Sequence, residues 1–132
     1  MKSLLDTHIL LWWLGDARLL SRAQHAAIQE ARPESPLLVA GITLWEVATL
    51  HELGRIRLAL PLREWLEQAT APPLVERCDL TPAIASELAT FPKSFHRDPA
   101  DRIIVATARV LGATLLTSDE RIHKSGLVPT LG

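Results

Sequence analysis

The sequence predicts an α/β fold with a mainly parallel central sheet, and three observations support this prediction. Short apolar runs alternate with longer segments in which apolar residues recur about every 3.6 residues, a pattern typical of β-α-β units. Capping and turn residues separate these segments. The 132 residues contain no internal repeat, low-complexity tract or linker, so we expect a single domain over residues 1–132.

The first half of the chain contains two predicted strands and four predicted helices. Gly15-Asp16 and Gly54 are expected to stop the first and third helices, and Ser21 is a candidate N-cap for the second. We expect strands at about Lys2–Leu5 and at Leu37–Ala40, and helices ending at Leu14, running from Ser21 to about Ala31, running from about Thr43 to Gly54, and opening at Pro61.

The second half is predicted to alternate in the same way. Thr81-Pro82 and Asp98-Pro99 each place a capping side chain before a proline at the first helical position, and Gly112 ends the long helix. We expect strands near Leu74–Val75 and at Ala113–Thr117, a final extended piece near Leu127–Val128, and helices from Thr81 to before Phe91, from Asp98 to about Leu111 and from Asp119 to about His123.

Composition narrows the function classes. A formal net charge of −1 excludes a strongly basic protein that holds nucleic acid by bulk electrostatic attraction, although a bound metal ion can supply positive charge locally. Cys78 is the only cysteine, so no intramolecular disulfide is possible. Asp6 and His8 interrupt the apolar N-terminal run, which is too broken for a signal peptide or a membrane span. We therefore expect a cytoplasmic protein with no membrane partner.

Four acidic positions lie where an apolar strand-like run gives way to a helical segment. Asp6, Glu46 and Asp119 each follow an apolar run, and Asp98 and Asp101 open the long helix. In open α/β sheets ligands bind beyond the carboxyl ends of the strands, so these acids are expected to converge. Crowded carboxylates repel one another unless a cation neutralises them, and oxygen ligands suit Mg²⁺ or Mn²⁺. The pattern predicts a metal-dependent site that cleaves phosphodiesters.

Helix capping is the ordinary alternative for each of these acids. Asp98 has the position of an N-cap, Asp119 could start a helical turn, and Thr43 with Glu46 fits a capping box. Capping does not explain acids at four separate junctions, nor Asp6 in strongly apolar surroundings, where a charge is costly to bury unless it is paired or metal-bound. The two interpretations are compatible, because a capping carboxylate is already oriented.

The motifs around these acids resemble those of a known family. The matching segments are Leu4-Leu5-Asp6-Thr7-His8, Leu44-Trp45-Glu46-Val47-Ala48, His96-Arg97-Asp98-Pro99-Ala100-Asp101-Arg102 with Val105-Ala106-Thr107-Ala108, and Leu116-Thr117-Ser118-Asp119. They look like the motifs of PIN-domain proteins, and most closely those of the VapC-type toxin ribonucleases of prokaryotic type II toxin–antitoxin systems. The resemblance implies a PIN-like three-layer α/β/α sandwich, a Mg²⁺-dependent endoribonuclease, a cognate antitoxin, an RNA substrate and a homodimer.

Asp6, Glu46, Asp101 and Asp119 match the acidic quartet of the family. Asp101 matches the third acid better than Asp98, which could assist as a further metal ligand or only cap the helix. We expect Asp6 and Asp101 to be the leading direct ligands of Mg²⁺, with Mn²⁺ as the alternative ion. Glu46 and Asp119 are expected to bind the metal through water or to orient the nucleophile.

Other polar side chains near the acids are candidates for contacts with substrate phosphate. Arginines donate to phosphate oxygens, and hydroxyls can do the same, although solvated arginines, salt bridges and capping hydroxyls are their ordinary alternatives. The candidates are Arg97, Arg102, Thr7 and Ser118, with Arg121 and Thr117 also close to the acids. The five histidines lack the spacing of a zinc site, and we expect His96 to be a turn residue. The four tryptophans lie in apolar helical patterns and are expected in the core or at an interface.

Two other function classes remain open at this point. A non-catalytic binding module of the same fold would have no need of all four acids. An acidic-pocket phosphatase or receiver-like domain fits less well, because the Asp6-Thr7-His8 segment lacks the second aspartate of the common aspartyl-phosphate phosphatases. Thr117-Ser118-Asp119 also stands where a receiver domain has a lysine after a late strand.

Overall fold

The computed structural model describes residues 1–132 and contains one five-stranded sheet. Its strands are β1 (Ser3–Leu5), β2 (Leu37–Ala40), β3 (Val75–Cys78), β4 (Thr114–Leu116) and β5 (Thr130–Leu131). They lie in the order β3-β2-β1-β4-β5, and all four pairings are parallel. The predicted α/β class with a parallel sheet is confirmed.

Seven helices and two short 3₁₀ turns connect the strands. The helices are α1 (Thr7–Leu14), α2 (Arg22–Gln29), α3 (Gly41–Glu52), α4 (Leu62–Ala69), α5 (Pro82–Glu87), α6 (Pro99–Leu111) and α7 (Glu120–Ser125), and the 3₁₀ turns are Ala17–Leu19 and Leu88–Thr90. No helix of this chain combines the length and the apolar character that a membrane crossing requires.

The sheet is covered on both faces, as in a three-layer sandwich. Successive residues of a strand point to opposite faces, so Leu4 and Leu115 pack with α5, α6 and α7, whereas Leu5 and Leu116 pack with α1, α2 and α4. All four side chains are fully buried. This two-sided burial explains why the strands appear in the sequence as uninterrupted apolar runs.

Two strands lie later in the sequence than their apolar signals predicted. The predicted extended piece at Leu127–Val128 is wrong, because β5 begins beyond Pro129 and Val128 is instead a core residue. The Pro129 carbonyl accepts from the Leu115 amide at 2.9 Å, and the pairing continues with Thr130 and Leu131. Similarly, β3 begins at Val75 and extends through exposed polar residues of an edge strand, where the apolar pattern ends.

Helix caps agree with the sequence in most cases. Ser21 and Gln24 form a complete capping box at the start of α2, and the side chains of Thr81 and Asp98 cap α5 and α6. The helix α3 is the exception, since it begins two residues before Thr43, with Ala40 as its N-cap and no capping side chain. The predicted capping box at the start of this helix is therefore wrong.

We predict that Thr81→Ala lowers the free energy of unfolding by about 1 kcal/mol, the usual contribution of an N-cap hydroxyl. The Thr81 hydroxyl accepts from the Ile84 amide at 3.2 Å, and the residue is solvent-exposed, so little packing is lost with it. Urea unfolding of the purified variants measures the change. Thr81→Ser keeps the hydroxyl and should retain wild-type stability, and an equal loss in both variants would contradict the capping role.

Candidate metal centre

The acidic residues converge because three neighbouring parallel strands end at the same edge of the sheet. Asp6 directly follows β1, α3 with Glu46 follows β2, and Asp119 lies three residues beyond β4. The start of α6 supplies Asp98 and Asp101. Together these elements form a cleft of about 330 Å³ lined by Asp6, His8, Trp12, Glu46, Asp98, Asp101, Ser118, Asp119 and Arg121.

Asp6 is the most deeply buried acid of the cleft. Its Oδ1 accepts from the Thr7 amide at 2.8 Å, and its Oδ2 accepts from the Thr117 hydroxyl at 2.6 Å. Burial raises the pKa of the Asp6 carboxyl even though both hydrogen bonds act to lower it. The side chain is thus held in one orientation, while its burial disfavours the charged form of the carboxyl.

Two buried threonines lie where α1 and α3 begin, close to Glu46. Thr7 and Thr43 are fully buried and share a hydrogen bond at 3.1 Å between their hydroxyl oxygens. Because α3 begins at Gly41, Glu46 lies in its second turn and faces the cleft. Burial raises the pKa of Glu46, and the charges of neighbouring acids raise it further, while a hydrogen bond from Thr7 lowers it in part. A phosphate contact by the buried Thr7 hydroxyl, predicted from the sequence, does not fit this geometry.

Asp101 is held by its neighbours on both sides. His96 Nε2 lies 2.8 Å from Asp101 Oδ2, and the Asp101 amide donates to Asp98 Oδ1 at 3.1 Å. The His96 ring packs against Phe95 with centroids 4.5 Å apart. Burial raises the pKa of Asp101, and the charges of Asp6 and other cleft acids add to this, against the lowering effect of the His96 hydrogen bond.

The pKa of Asp119 is lowered, in contrast to the raised pKa values of Asp6, Glu46 and Asp101. Its partial burial acts to raise the pKa, but hydrogen bonds from the side chain and the backbone of Arg121 together lower it. The Arg121 amide donates to Asp119 Oδ1 at 2.8 Å, and Arg121 Nη2 lies 3.3 Å from Oδ2. The Asp119 amide itself donates to the Thr117 hydroxyl at 3.1 Å, so one threonine positions both Asp6 and Asp119.

Two groups of side chains can offer three ligand atoms to one cation. Carboxylate oxygens of Glu46, Asp98 and Asp101 lie within 4.8 Å of one another, as do ligand atoms of His96, Asp101 and Asp119. Five carboxylates in one partly buried cleft, three of them with raised pKa values, form a hard oxygen donor set that fits Mg²⁺ or Mn²⁺. All five acids selected from the sequence thus line the same cleft.

The predicted phosphate-contacting residues are only partly at the cleft. Ser118 lines it, whereas Arg97 is exposed and Arg102 packs elsewhere, and neither belongs to its lining. The Arg102 guanidinium lies over the rings of Phe91 and Phe95, 5.5 and 5.9 Å from their centroids. Its stacking there accounts for Arg102 without a substrate.

Three residues of the site were not among those predicted from the sequence to contribute to it. His96, expected in a turn, contacts Asp101, and Trp12 lines the cleft although its helical pattern predicted a core or interface position. His8 lies one turn from Trp12 on α1, with ring centroids 6.3 Å apart. Their four-residue spacing could have predicted that His8 and Trp12 lie on the same face of α1.

The sequence matches the family described as PIN domain over residues 3–126. The chain belongs to the PIN-domain family. Ribonuclease VapC22 of Mycobacterium tuberculosis is 41% identical over 120 residues, which cover 91% of this PIN domain and 88% of that protein. This relative confirms the predicted resemblance to VapC-type ribonucleases.

Solved structures share the fold of this PIN domain. The crystal structure of VapBC2 from Rickettsia felis, bound to a DNA fragment from their promoter, superposes with a TM-score of 0.73 at 13% identity, covering 99% of this chain and 98% of that chain. VapBC-1 from nontypeable Haemophilus influenzae gives a TM-score of 0.67 at 15% identity, covering 99% and 97%. The predicted PIN-like sandwich is confirmed.

Proposed function

We propose that this PIN domain is a metal-dependent endoribonuclease of the cytoplasm and the toxin of a toxin–antitoxin pair. The observation that carries the proposal is the convergence of five carboxylates in one cleft at the carboxyl edge of the sheet. Three of these carboxylates have raised pKa values, so the cleft is organised to receive a cation. The 41% identity to a protein named as a ribonuclease supports RNA as the substrate.

Mg²⁺ is the proposed cofactor, with Mn²⁺ as an alternative, and all five acids are available to hold it. Asp6 and Asp101 are the proposed direct ligands, with Glu46, Asp119 and Asp98 binding directly or through water. The bound cation supplies a Lewis acid that lowers the pKa of water and neutralises charge on the phosphoryl oxygens.

The side chains around the acids hold them ready for this role. Thr117 and the Thr7 amide fix both oxygens of Asp6, and His96 fixes one oxygen of Asp101. Such supporting contacts orient metal ligands and reduce the rearrangement required when the substrate binds. Glu46 has a raised pKa despite a hydrogen bond from Thr7, so we assign it to orienting water and accepting a proton from it.

The proposed macromolecular partners are RNA and a cognate antitoxin protein. A toxin–antitoxin complex from Klebsiella pneumoniae shares the fold, as do the two VapBC structures, which supports an antitoxin for this chain. We also propose a homodimer, which light scattering of the purified protein tests directly. Expression of the chain alone should arrest growth of the host cell, and co-expression of a small neighbouring gene should relieve the arrest.

Cleavage of total cellular RNA tests the enzymatic proposal. The purified chain, freed of any co-purifying partner, is incubated with RNA in Mg²⁺ or in EDTA. We expect discrete fragments in Mg²⁺ and intact RNA in EDTA. Intact RNA under both conditions, with Mg²⁺ binding demonstrated by calorimetry, would instead favour a non-catalytic binding module. Phosphorylation of an aspartate by a small phosphodonor would favour the receiver-like alternative.

Asp98→Asn is expected to weaken Mg²⁺ binding about tenfold, within the range for groups that support metal ligands. Asparagine caps helices as well as aspartate, so this variant removes the charge beside Glu46 and Asp101 while it keeps the cap on α6. Titration calorimetry measures the affinity, and thermal unfolding verifies the cap. Wild-type affinity in Asp98→Asn would show that Asp98 serves only as a cap.

A further inference from the structure

Arg121 is the only lysine or arginine among the residues that line the acidic cleft. Its Nη2 lies 3.3 Å from Asp119 Oδ2 and 3.7 Å from Asp101 Oδ2, so one guanidinium bridges two carboxylates from different elements. The two carboxylates also belong, with His96, to one of the groups of possible metal ligands. The guanidinium therefore contacts the same carboxylate groups that a metal ion would use as ligands.

A second aspartate–arginine pair in the chain shows which contact of Arg121 is not local. Asp16 and Arg18 form the same local arrangement, in which an aspartate at a helix start accepts from the amide and the guanidinium of the arginine two residues later. That pair lies outside the cleft, and Arg18 has no second carboxylate partner. The two-residue spacing explains the contact of Arg121 with Asp119. Its contact with Asp101 depends on the tertiary structure, because Asp101 lies on α6.

The Arg121 side chain is free to leave this position. It is 64% exposed, and its contacts with the two carboxylates are made by one terminal nitrogen. The two carboxylates are mostly buried, but the guanidinium remains largely hydrated, which weakens its ion pairs with them. The backbone contact of Arg121 with Asp119 does not depend on the guanidinium, so the start of α7 can stay in place when the side chain moves.

We propose that Arg121 is an exchangeable counterion of the cleft: it neutralises Asp101 and Asp119 before a metal binds, then turns to an RNA phosphate. A divalent cation among these carboxylates would repel the guanidinium and offset the charge that holds it there. An RNA phosphate at the cleft would then offer the guanidinium another anionic partner, and arginine binds phosphate through paired hydrogen bonds. The second half of this proposal rests on the proposed ribonuclease function.

The proposal predicts effects of opposite sign on two binding constants. Arg121→Gln should bind Mn²⁺ about two- to fivefold more tightly than wild type, because the ion pairs that compete with the metal for these carboxylates are gone. The same variant should bind a short single-stranded RNA about tenfold more weakly in the presence of metal, because a charge-assisted phosphate contact is lost. A general loss of structure would weaken both.

Titration calorimetry with Mn²⁺ and fluorescence anisotropy with a labelled single-stranded RNA measure the two constants. The anisotropy uses Ca²⁺, which takes the same kind of oxygen ligands, and a gel confirms that the RNA stays intact. Arg18→Gln is the matched control, because it removes the same group from the same local arrangement outside the cleft. The RNA measurement is repeated over a range of salt, where Arg121→Gln should reduce the slope of log Kd against log salt by about 0.7 to 1.

Mn²⁺ affinity that is unchanged or reduced in Arg121→Gln would overturn the proposal. RNA binding equal to that of Arg18→Gln would overturn it as well. Neither constant depends on cleavage, so failure of the proposed function is recognised separately, by wild-type protein that leaves RNA intact in Mg²⁺. Arg121→Lys keeps a positive charge and should give an Mn²⁺ affinity between those of wild type and Arg121→Gln.

Discussion

Replacement of Asp101 by asparagine is expected to lower the rate of RNA cleavage by about three orders of magnitude, since metal-supplied charge stabilisation of several kcal/mol is lost. Asp101 belongs to both groups of possible metal ligands, so no other single change removes as much of the donor set. Asparagine has nearly the same shape, and the backbone N–H of residue 101 still donates to Asp98 Oδ1. The fold should therefore remain intact while the chemistry is lost.

The cleavage rate of Asp101→Asn is measured under single-turnover conditions with a labelled RNA that the wild-type protein cleaves. Circular dichroism and thermal unfolding verify that the variant is folded. Asp16→Asn is the matched control, because Asp16 caps a short helical turn with its side chain but lies outside the cleft. Residual activity above about a tenth of wild type would exclude Asp101 as a main metal ligand, since a tenfold change corresponds to only about 1.4 kcal/mol.

Mg²⁺ is expected to stabilise the folded protein by about 2.7 kcal/mol at a free concentration of about one hundred times Kd. The metal binds the folded cleft, whereas the unfolded chain no longer brings the acids together. Urea unfolding in EDTA and in Mg²⁺ measures the difference. Asp101→Asn should respond much less to Mg²⁺, and an equal response in this variant would contradict a metal site at the cleft.

Without metal, the pH dependence of stability should have the opposite sign to that of ordinary paired carboxylates. Burial raises the pKa of Asp6, Glu46 and Asp101, so the folded state retains protons at pH values where the unfolded chain has lost them. Their contribution is present below the ordinary pKa and is lost as pH rises through the raised values. Asp119 has a lowered pKa, so its stabilising contribution is lost only as pH falls below the ordinary range.

Unfolding experiments in EDTA over a range from about pH 5 to about pH 8 test this sign. The free energy of unfolding should fall with rising pH in the wild-type protein, and it should fall less in Asp101→Asn, which lacks one of the three groups. Saturating Mg²⁺ should offset the loss at high pH, because metal and protons compete for the same oxygens. A wild-type stability that rises with pH in EDTA would contradict the raised pKa values.

The positions of most helices and strands, and the choice of candidate acids, were predicted from patterns that extend over only a few residues. Leu37–Ala40 formed a strand with the predicted bounds, and Ser21, Thr81 and Asp98 capped helices as predicted. Apolar period and capping chemistry are local, so a single sequence contains them. The position of β5 was predicted wrongly because its pairing is not local. Thr130 and Leu131 pair with β4, whereas the stronger apolar signal at Val128 marks a core residue.

The supporting contacts of the site depend on residues far apart in the chain. Thr117 donates to Asp6 across 111 positions, and Thr7 meets Thr43 across 36. These contacts exist because β1 lies between β2 and β4 in the sheet, an order that no local pattern specifies.

The amino-acid order thus established the α/β class, most element positions, and the five acids that share the cleft. The folded structure established which groups hold those acids: the sheet order brings Thr117 to Asp6, the packing of α6 and α7 brings Arg121 to Asp101, and the loop before α6 brings His96 to Asp101. Hydrogen bonds and ion pairs require distances of a few ångströms between groups that the chain separates, and only the folded arrangement sets those distances.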